Sequence, residues 1–154
     1  VMKIIDFLAD HYEDINQDIL LAGSFFHDIG KLEEIGTGPE MDYTDKGVLL
    51  GHMVIGAEIV RKKIEQIDDF PEELATELIH TVISHQGEPE WGAPVVPMTR
   101  EAIIIHHIDN MDAKQFVAKR GIDESREEGS FTTKIYPLGR RLYMRDKKRK
   151  SEEI

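Results

Sequence analysis

The chain has 154 residues, of which 40% are hydrophobic and 32% are charged, and this length and composition are typical of one globular domain. Its 19 Lys and Arg against 30 Asp and Glu give a net charge of −11, which argues against nucleic-acid binding through bulk charge, and the lack of cysteine excludes disulfides and thiolate metal sites. Because no apolar run is long enough for a membrane span and no signal-peptide pattern opens the chain, we expect a cytoplasmic protein without a membrane partner.

Apolar residues recur at helical spacing over the first part of the chain, which predicts α-helices. The first helix starts at once, without a capping residue. Asn16 or Asp18 can cap a second helix, which runs to residues 27–28 and is closed by Gly30. The stretch 36–47, rich in glycine, is predicted to be a loop or short extended structure.

Three more helices are predicted after this loop, at about 48–67, 71–85 and 99–119. Pro71 suits the first turn of the fourth helix, and Thr99 can cap the fifth. Between them, proline and glycine residues at 87–97 form a rigid loop around Trp91.

The hydrophobic period changes after the fifth helix. Residues 131–138 and 141–144, joined near 139–140, allow a short β-hairpin, although Pro137 restricts it to an edge position. No internal repeat and no flexible interdomain linker is evident in the sequence. The prediction is therefore one all-α domain over residues 1–154, a compact helical bundle with an optional C-terminal hairpin.

The positions of the histidines carry most of the chemical information. Four predicted helices bear a set of imidazole and carboxylate groups, which are His27, Asp28, His52, His85 and Asp109. Such groups, when buried together, cost free energy unless something pairs them, and a divalent cation satisfies both kinds. A mixed set suits Mn, Fe, Co, Ni or Zn rather than Mg or Ca. A lone helical histidine is more often a core or surface residue, so spacing alone leaves both interpretations open.

The string His27-Asp28-Ile29-Gly30-Lys31, with the later Ile108-Asp109-Asn110, resembles the HD-domain superfamily of metal-dependent phosphohydrolases. Finer features resemble one branch, the YhaM-type 3′–5′ exoribonucleases. These features are Tyr43-Thr44, Leu49-Leu50-Gly51-His52, Ser84-His85-Gln86-Gly87, Glu90-Trp91-Gly92 and residues 108–114. The resemblance covers the chain from about Ile4 to Tyr143 and implies an HD-type helical bundle.

The resemblance also implies a set of metal ligands. His27, Asp28 and Asp109 match residues that hold a first ion in HD enzymes. Where a second ion is bound, the aspartate of the pair bridges to it, and His52 and His85 match the histidines that complete its coordination. The expected cofactor is one or two divalent transition-metal ions, with manganese first and Fe, Co, Ni or Zn as alternatives.

Further side chains are expected around this centre. Lys31 is expected as a catalytic group beside the scissile phosphate, where its ammonium offsets developing charge, or else as a surface lysine that closes a helix. Asp112, one turn beyond the last ligand, can orient water or simply face solvent. Trp91 can stack on a substrate base or pack its loop against the core. His106 and His107 are adjacent, so at most one of them can face the site.

The sequence departs from the family pattern in two places. The first histidine of the family would lie upstream of Val1, and the branch usually has two adjacent histidines where this chain has His85-Gln86. We therefore expect a domain truncated at its N-terminus, without the first ligand helix and without the OB-type RNA-binding domain that precedes it in the branch.

The implied function is hydrolysis of a phosphate ester by metal-activated water, with RNA or a nucleotide as the substrate and 3′–5′ exoribonuclease-like activity. One alternative is an HD-type module that has lost activity and serves binding or dimerisation, which the missing histidine and Gln86 favour. Another is a nucleotidase that acts on mononucleotides in a closed pocket. The sequence leaves open whether the protein forms a homo-oligomer.

Overall fold

Six α-helices account for most of the residues that the computed structural model describes, which are 1–38 and 41–145. They are α1 (Met2–His11), α2 (Gln17–Phe26), α3 (Lys31–Glu34), α4 (Asp45–Ile64), α5 (Glu72–Ser84) and α6 (Arg100–Asp123). Two short 3₁₀ helices span Pro89–Trp91 and Tyr136–Leu138. Within the described residues there is no β-sheet, so the all-α prediction is confirmed. None of these helices combines the length and the apolar character needed to cross a membrane.

The chain divides into two compact units, residues 1–109 and residues 110–154. The first unit holds two clusters of buried apolar side chains. One lies between α2, α4 and α5 and consists of Ile19, Val60, Ile64, Ala75, Leu78 and Val82. The other lies between α1, α2 and α6 and consists of Ile5, Ala9, Leu20 and Ile105. Because neighbouring residues of α2 enter different clusters, this helix is packed on two sides.

Two helices of the first unit begin at the capping residues that the sequence predicts. Asn16 Oδ1 accepts a hydrogen bond from the Ile19 N–H at 3.1 Å, and Thr99 Oγ1 accepts one from the Ala102 N–H at 3.2 Å. The N–H of Asn16 donates to Glu101 Oε1 at 2.7 Å. Each cap satisfies a backbone donor that the first turn of a helix leaves unpaired, and the last bond ties the start of α2 to α6.

The helix predicted from about residue 48 in fact starts at Asp45, and a four-residue helix, α3, precedes it in the stretch after Gly30. Thr44 explains the earlier start, because its Oγ1 accepts from the Gly47 N–H at 2.9 Å and caps α4. Its own N–H donates to the Glu34 carbonyl oxygen at 2.9 Å. The cap of α4 is thereby bonded to the end of α3.

Gly30 was predicted to close α2. In the structure it instead allows the backbones of α3 and α4 to approach each other. Helix α2 ends at Phe26, and Gly30 has ordinary right-handed dihedrals, φ −64 and ψ −21, at the start of α3. A Cβ on Gly30 would lie 1.9 Å from the carbonyl oxygen of His52, and one on Gly47 would lie 2.4 Å from that of Glu34. Without these methyl groups α3 packs directly against the backbone of α4.

In the described part of the second unit, the chain folds back on itself after α6. Isolated antiparallel bridges join Phe131 to Tyr143 and Ile135 to Arg140. The second 3₁₀ helix, which contains Pro137, forms the loop between Ile135 and Arg140. Proline has no N–H to donate to a strand partner, and residues 136–138 of the predicted first strand are accordingly in this loop. The structure has single bridges where the sequence allowed a continuous hairpin.

We expect Leu20→Ala to lower the free energy of unfolding by about 2–5 kcal/mol, because it removes buried methyl groups and leaves a cavity. The Leu20 side chain is 0% exposed, whereas Leu49 is 80% exposed. Leu49→Ala deletes the same atoms from a solvated position and should change stability by less than about 0.5 kcal/mol. Urea denaturation followed by circular dichroism measures both variants. Equal losses would contradict the central position of α2.

Candidate metal centre

Four helices of the first unit bring together the imidazole and carboxylate groups that the sequence predicts as ligands. His27 and Asp28 directly follow α2, His52 lies in α4, His85 caps the end of α5, and Asp109 lies in α6. The two imidazoles that follow α2 and α5 are buried, and the other three side chains are partly buried. The predicted convergence of these residues is therefore present in the fold.

The carboxylate of Asp28 lies at the middle of the group. Its Oδ1 is 3.7 Å from His52 Nε2 and 3.6 Å from His85 Nε2, and these nitrogens are 3.3 Å apart. Its Oδ2 is 3.5 Å from His27 Nε2, which is 3.6 Å from Asp109 Oδ1. Bonds of about 2.1 Å to one cation would separate two ligand atoms by about 3.0–3.4 Å. The observed separations are at or slightly above this range.

Backbone hydrogen bonds determine which ring nitrogen faces the centre in two of the histidines. Nδ1 of His27 lies 2.7 Å from the Ser24 carbonyl oxygen, and Nδ1 of His85 lies 2.8 Å from that of Val82. Because a carbonyl oxygen only accepts hydrogen bonds, each Nδ1 carries the hydrogen and donates it. In the neutral ring, Nε2 then presents its lone pair to the centre, which is the form that binds metals.

Glu34 was not among the predicted site residues, yet its carboxylate is buried beside His52. Its Oε1 lies 3.2 Å from His52 Nδ1, so in this ring too Nδ1 donates and Nε2 faces inward. Its neighbour Glu33 instead faces solvent and pairs with Lys46 at 2.7 Å. A helix of four residues shows no hydrophobic period that could tell the two glutamates apart, so the sequence alone had no signal for Glu34.

Asp28 Oδ1 is buried and has no hydrogen-bond partner among the described residues. Its nearest imidazole nitrogens, on His52 and His85, are also acceptors in the neutral rings. Three electron-rich atoms therefore converge without a donor, which is unfavourable unless positive charge compensates it. The three residues form a group whose ligand atoms lie close enough to hold one metal ion. The donor set and the unpaired oxygen thus fit a divalent cation.

The electrostatics of the centre also favour positive charge. Burial lowers the pKa of His85 to about 4, so its ring is neutral near pH 7. Burial opposes the charged form of His27 as well, but the nearby carboxylates of Asp109 and Asp28 outweigh burial and raise its pKa. The neighbouring imidazole of His27 in turn lowers the pKa of Asp109. The negative charge of Asp109 beside this imidazole therefore favours a bound cation.

Lys31 lies at the edge of the centre. Its Nζ is 2.7 Å from Asp28 Oδ2, and its side chain is 44% exposed. Its ammonium group is thus anchored to a predicted ligand while it stays accessible from solvent. An anion that approaches Asp28 from solvent would meet this positive charge.

The remaining predicted residues differ in their surroundings. His106 is buried and its Nδ1 donates to the carbonyl oxygen of His85 at 2.8 Å, while His107 is exposed, so only one of the adjacent pair points inward. The ring of Trp91 is half-exposed and lies 6.0 Å from that of His106 at an angle of 34°. Asp112 belongs to the second unit and is exposed, and its role in orienting water stays a prediction.

Comparison with known families identifies the family of this chain. The family model of the HD domain matches residues 1–114, which include all five predicted ligands. The chain belongs to the HD domain family. This match confirms the resemblance to the HD-domain family and the HD-type helical fold that it implied.

The HD domain is also similar to curated 3′–5′ exoribonucleases named YhaM. It is 38% identical over 143 residues to the one of Geobacillus sp., 36% to that of Bacillus licheniformis and 35% to that of Bacillus subtilis. These alignments cover 93% of the chain but only 44% or 45% of each relative. The chain thus spans less than half the length of the curated relatives it matches. No solved structure matches it.

We expect the HD domain to bind Mn²⁺ and Asp28→Ala to weaken this binding by more than about 100-fold, because outer hydrogen-bond partners of a metal ligand alone contribute about 10–100-fold. Isothermal titration calorimetry measures the affinity. Asp10→Ala is the matched control, since Asp10 is an exposed carboxylate on α1. Equal affinity of wild type and Asp28→Ala would remove Asp28 from the centre.

Proposed function

We propose that this HD domain is a metal-dependent phosphohydrolase that cleaves phosphodiester bonds, with the 3′–5′ exoribonuclease activity that the names of its relatives state. The observation that carries the proposal is the unpaired, buried Asp28 Oδ1 among imidazole nitrogens. HD family membership supports it independently. The relatives are more than twice as long as the matched region. We therefore propose for this domain only the hydrolytic chemistry that the centre itself could perform.

The geometry suggests which atoms would hold the cations. Asp28 Oδ1 would share one ion with the Nε2 atoms of His52 and His85. Asp28 Oδ2, His27 and Asp109 would hold a second ion. A divalent cation bound there supplies Lewis-acid polarisation of the phosphate and makes water acidic enough to ionise near neutral pH.

Manganese and a cytoplasmic location are the finer parts of the proposal. Imidazole and carboxylate ligands suit Mn as well as Fe, Co, Ni and Zn, and we place Mn first. A protein without cysteine has no disulfide to protect from a reducing compartment. Mn²⁺, Zn²⁺ and Mg²⁺ titrated in parallel into metal-free protein test the first point.

The protein's own side chains have distinct tasks in this reaction. The Nδ1–H bonds of His27 and His85 to backbone carbonyls hold both rings in place before substrate arrives, so no reorganisation is needed when charge develops. Lys31, which is anchored to Asp28, would place its ammonium beside a phosphate oxygen. Trp91 would stack on a base of the RNA, a contact that typically contributes about 1–3 kcal/mol.

We expect Lys31→Ala to lower kcat for Mn²⁺-dependent hydrolysis of bis(p-nitrophenyl) phosphate by about 100-fold or more, the usual effect of one preorganised electrostatic contact. Mn²⁺ affinity should stay equal or rise, because the ammonium no longer competes for Asp28. Lys3→Ala, at an exposed position of α1, is the control and should match wild type. A parallel loss of Mn²⁺ affinity and activity in Lys31→Ala would contradict a direct role at the phosphate.

We expect the domain with Mn²⁺ to shorten a 5′-labelled RNA stepwise from its 3′ end. Gel analysis of the time course resolves the successive products. Internal cleavage would contradict the exonuclease proposal, and release of phosphate from mononucleotides with intact RNA would indicate a nucleotidase instead. No hydrolysis of any of these substrates by Mn²⁺-loaded protein would favour a binding module. Asp28→Ala serves as the inactive control.

A further inference from the structure

Helix α4 is interrupted immediately before His52. Gly51 has φ 70 and ψ 156, a conformation outside the helical region that is essentially restricted to glycine. The break turns the peptide group that carries the His52 N–H away from ordinary helical geometry. This N–H donates to Glu34 Oε1 at 2.9 Å. A side chain from α3 therefore caps the point at which α4 resumes.

The same carboxylate oxygen also contacts the ring of His52. Glu34 Oε1 lies 3.2 Å from His52 Nδ1, so one oxygen accepts from both the main chain and the imidazole of this residue. These two bonds determine the position of the backbone and the rotation of the ring together. The opposite nitrogen, Nε2, then lies 3.7 Å from Asp28 Oδ1.

The other two inward-facing histidines are oriented differently. The rings of His27 and His85 donate to backbone carbonyls three residues earlier, on Ser24 and Val82. In His52, which directly follows the break at Gly51, Nδ1 instead donates to the carboxylate of Glu34. A carboxylate is the stronger acceptor, and it increases the basicity of a metal-binding imidazole.

Glu34 is itself firmly held. Its residue is only 7% exposed, and its carbonyl oxygen accepts the Thr44 N–H at 2.9 Å. The close approach of Gly47 to the same carbonyl brings α4 directly against α3. A carboxylate also interacts favourably with the N-terminus of the helical segment that begins at His52.

We propose that Glu34 is the positioning residue for His52, through which α3 sets the orientation of one predicted metal ligand. The proposal rests on the metal-dependent function proposed above. Glu34 fixes the Nδ1–H tautomer and the rotation of the ring, and the break at Gly51 makes the His52 N–H available to it. Glu34 acts through His52.

The test compares Glu34→Ala, Glu34→Gln and the neighbouring control Glu33→Ala. Long-range ¹H–¹⁵N spectra of metal-free protein report the tautomer of His52, and calorimetry reports Mn²⁺ affinity. We expect Glu34→Ala to lose the Nδ1–H tautomer and to bind Mn²⁺ about 10–100-fold more weakly. Glu34→Gln keeps an accepting oxygen, so it should keep the tautomer and lose less Mn²⁺ affinity than Glu34→Ala. Glu33→Ala removes only an exposed ion pair and should match wild type.

The outcomes separate this inference from the proposed function. Wild-type tautomer and affinity in Glu34→Ala would overturn the role of Glu34 and leave the metal centre intact. If wild type binds no Mn²⁺, the proposed function fails, while the tautomer in metal-free protein still tests the contact between Glu34 and His52. Should Glu34→Ala fail to fold, Glu34→Gln decides, because wild-type Mn²⁺ affinity in that folded variant would overturn the inference.

Discussion

The structure depends on keeping hydrogen-bond acceptors together around Asp28 Oδ1, an arrangement that is unfavourable in a protein interior without positive charge. Two Nε2 atoms 3.3 Å apart, on His52 and His85, add to this cost. The apolar clusters on both sides of α2 offset it, because they fix the helices that carry these groups. Such a centre gains stability from any cation that binds the folded form, so metal binding and folding are thermodynamically linked.

Backbone geometry, more than side-chain packing, brings α3 and α4 close enough to build the centre. Gly30 and Gly47 remove the methyl groups that would separate the two helices. Gly51 interrupts α4 so that His52 can use Glu34 as its hydrogen-bond partner. A glycine inside a helix costs stability, and its presence beside a predicted metal ligand fits the role proposed for His52.

Helical period and capping chemistry predicted most of the helices, because both depend on residues close together in the chain. Asn16 and Thr99 cap as predicted, and the HD pair led to the correct family. Gly30 was misassigned because its role is a contact with a residue far along the chain. Glu34 and the break at Gly51 were missed for the same reason, since neither alters the apolar pattern. Long-range contacts between short elements are the part that single-sequence reasoning cannot supply.

The net charge of −11 restricts how this domain can act on a polyanion. A net negative charge repels a phosphate backbone, so binding along a long strand by general electrostatic attraction is unfavourable. The proposed chemistry needs positive charge only at the reacting phosphate, where cations and Lys31 would supply it within a few ångströms of Asp28. Stacking of a base on Trp91 does not depend on net charge. Recognition of a strand end, one nucleotide at a time, is therefore the form of RNA binding that fits the exonuclease activity proposed for this acidic domain.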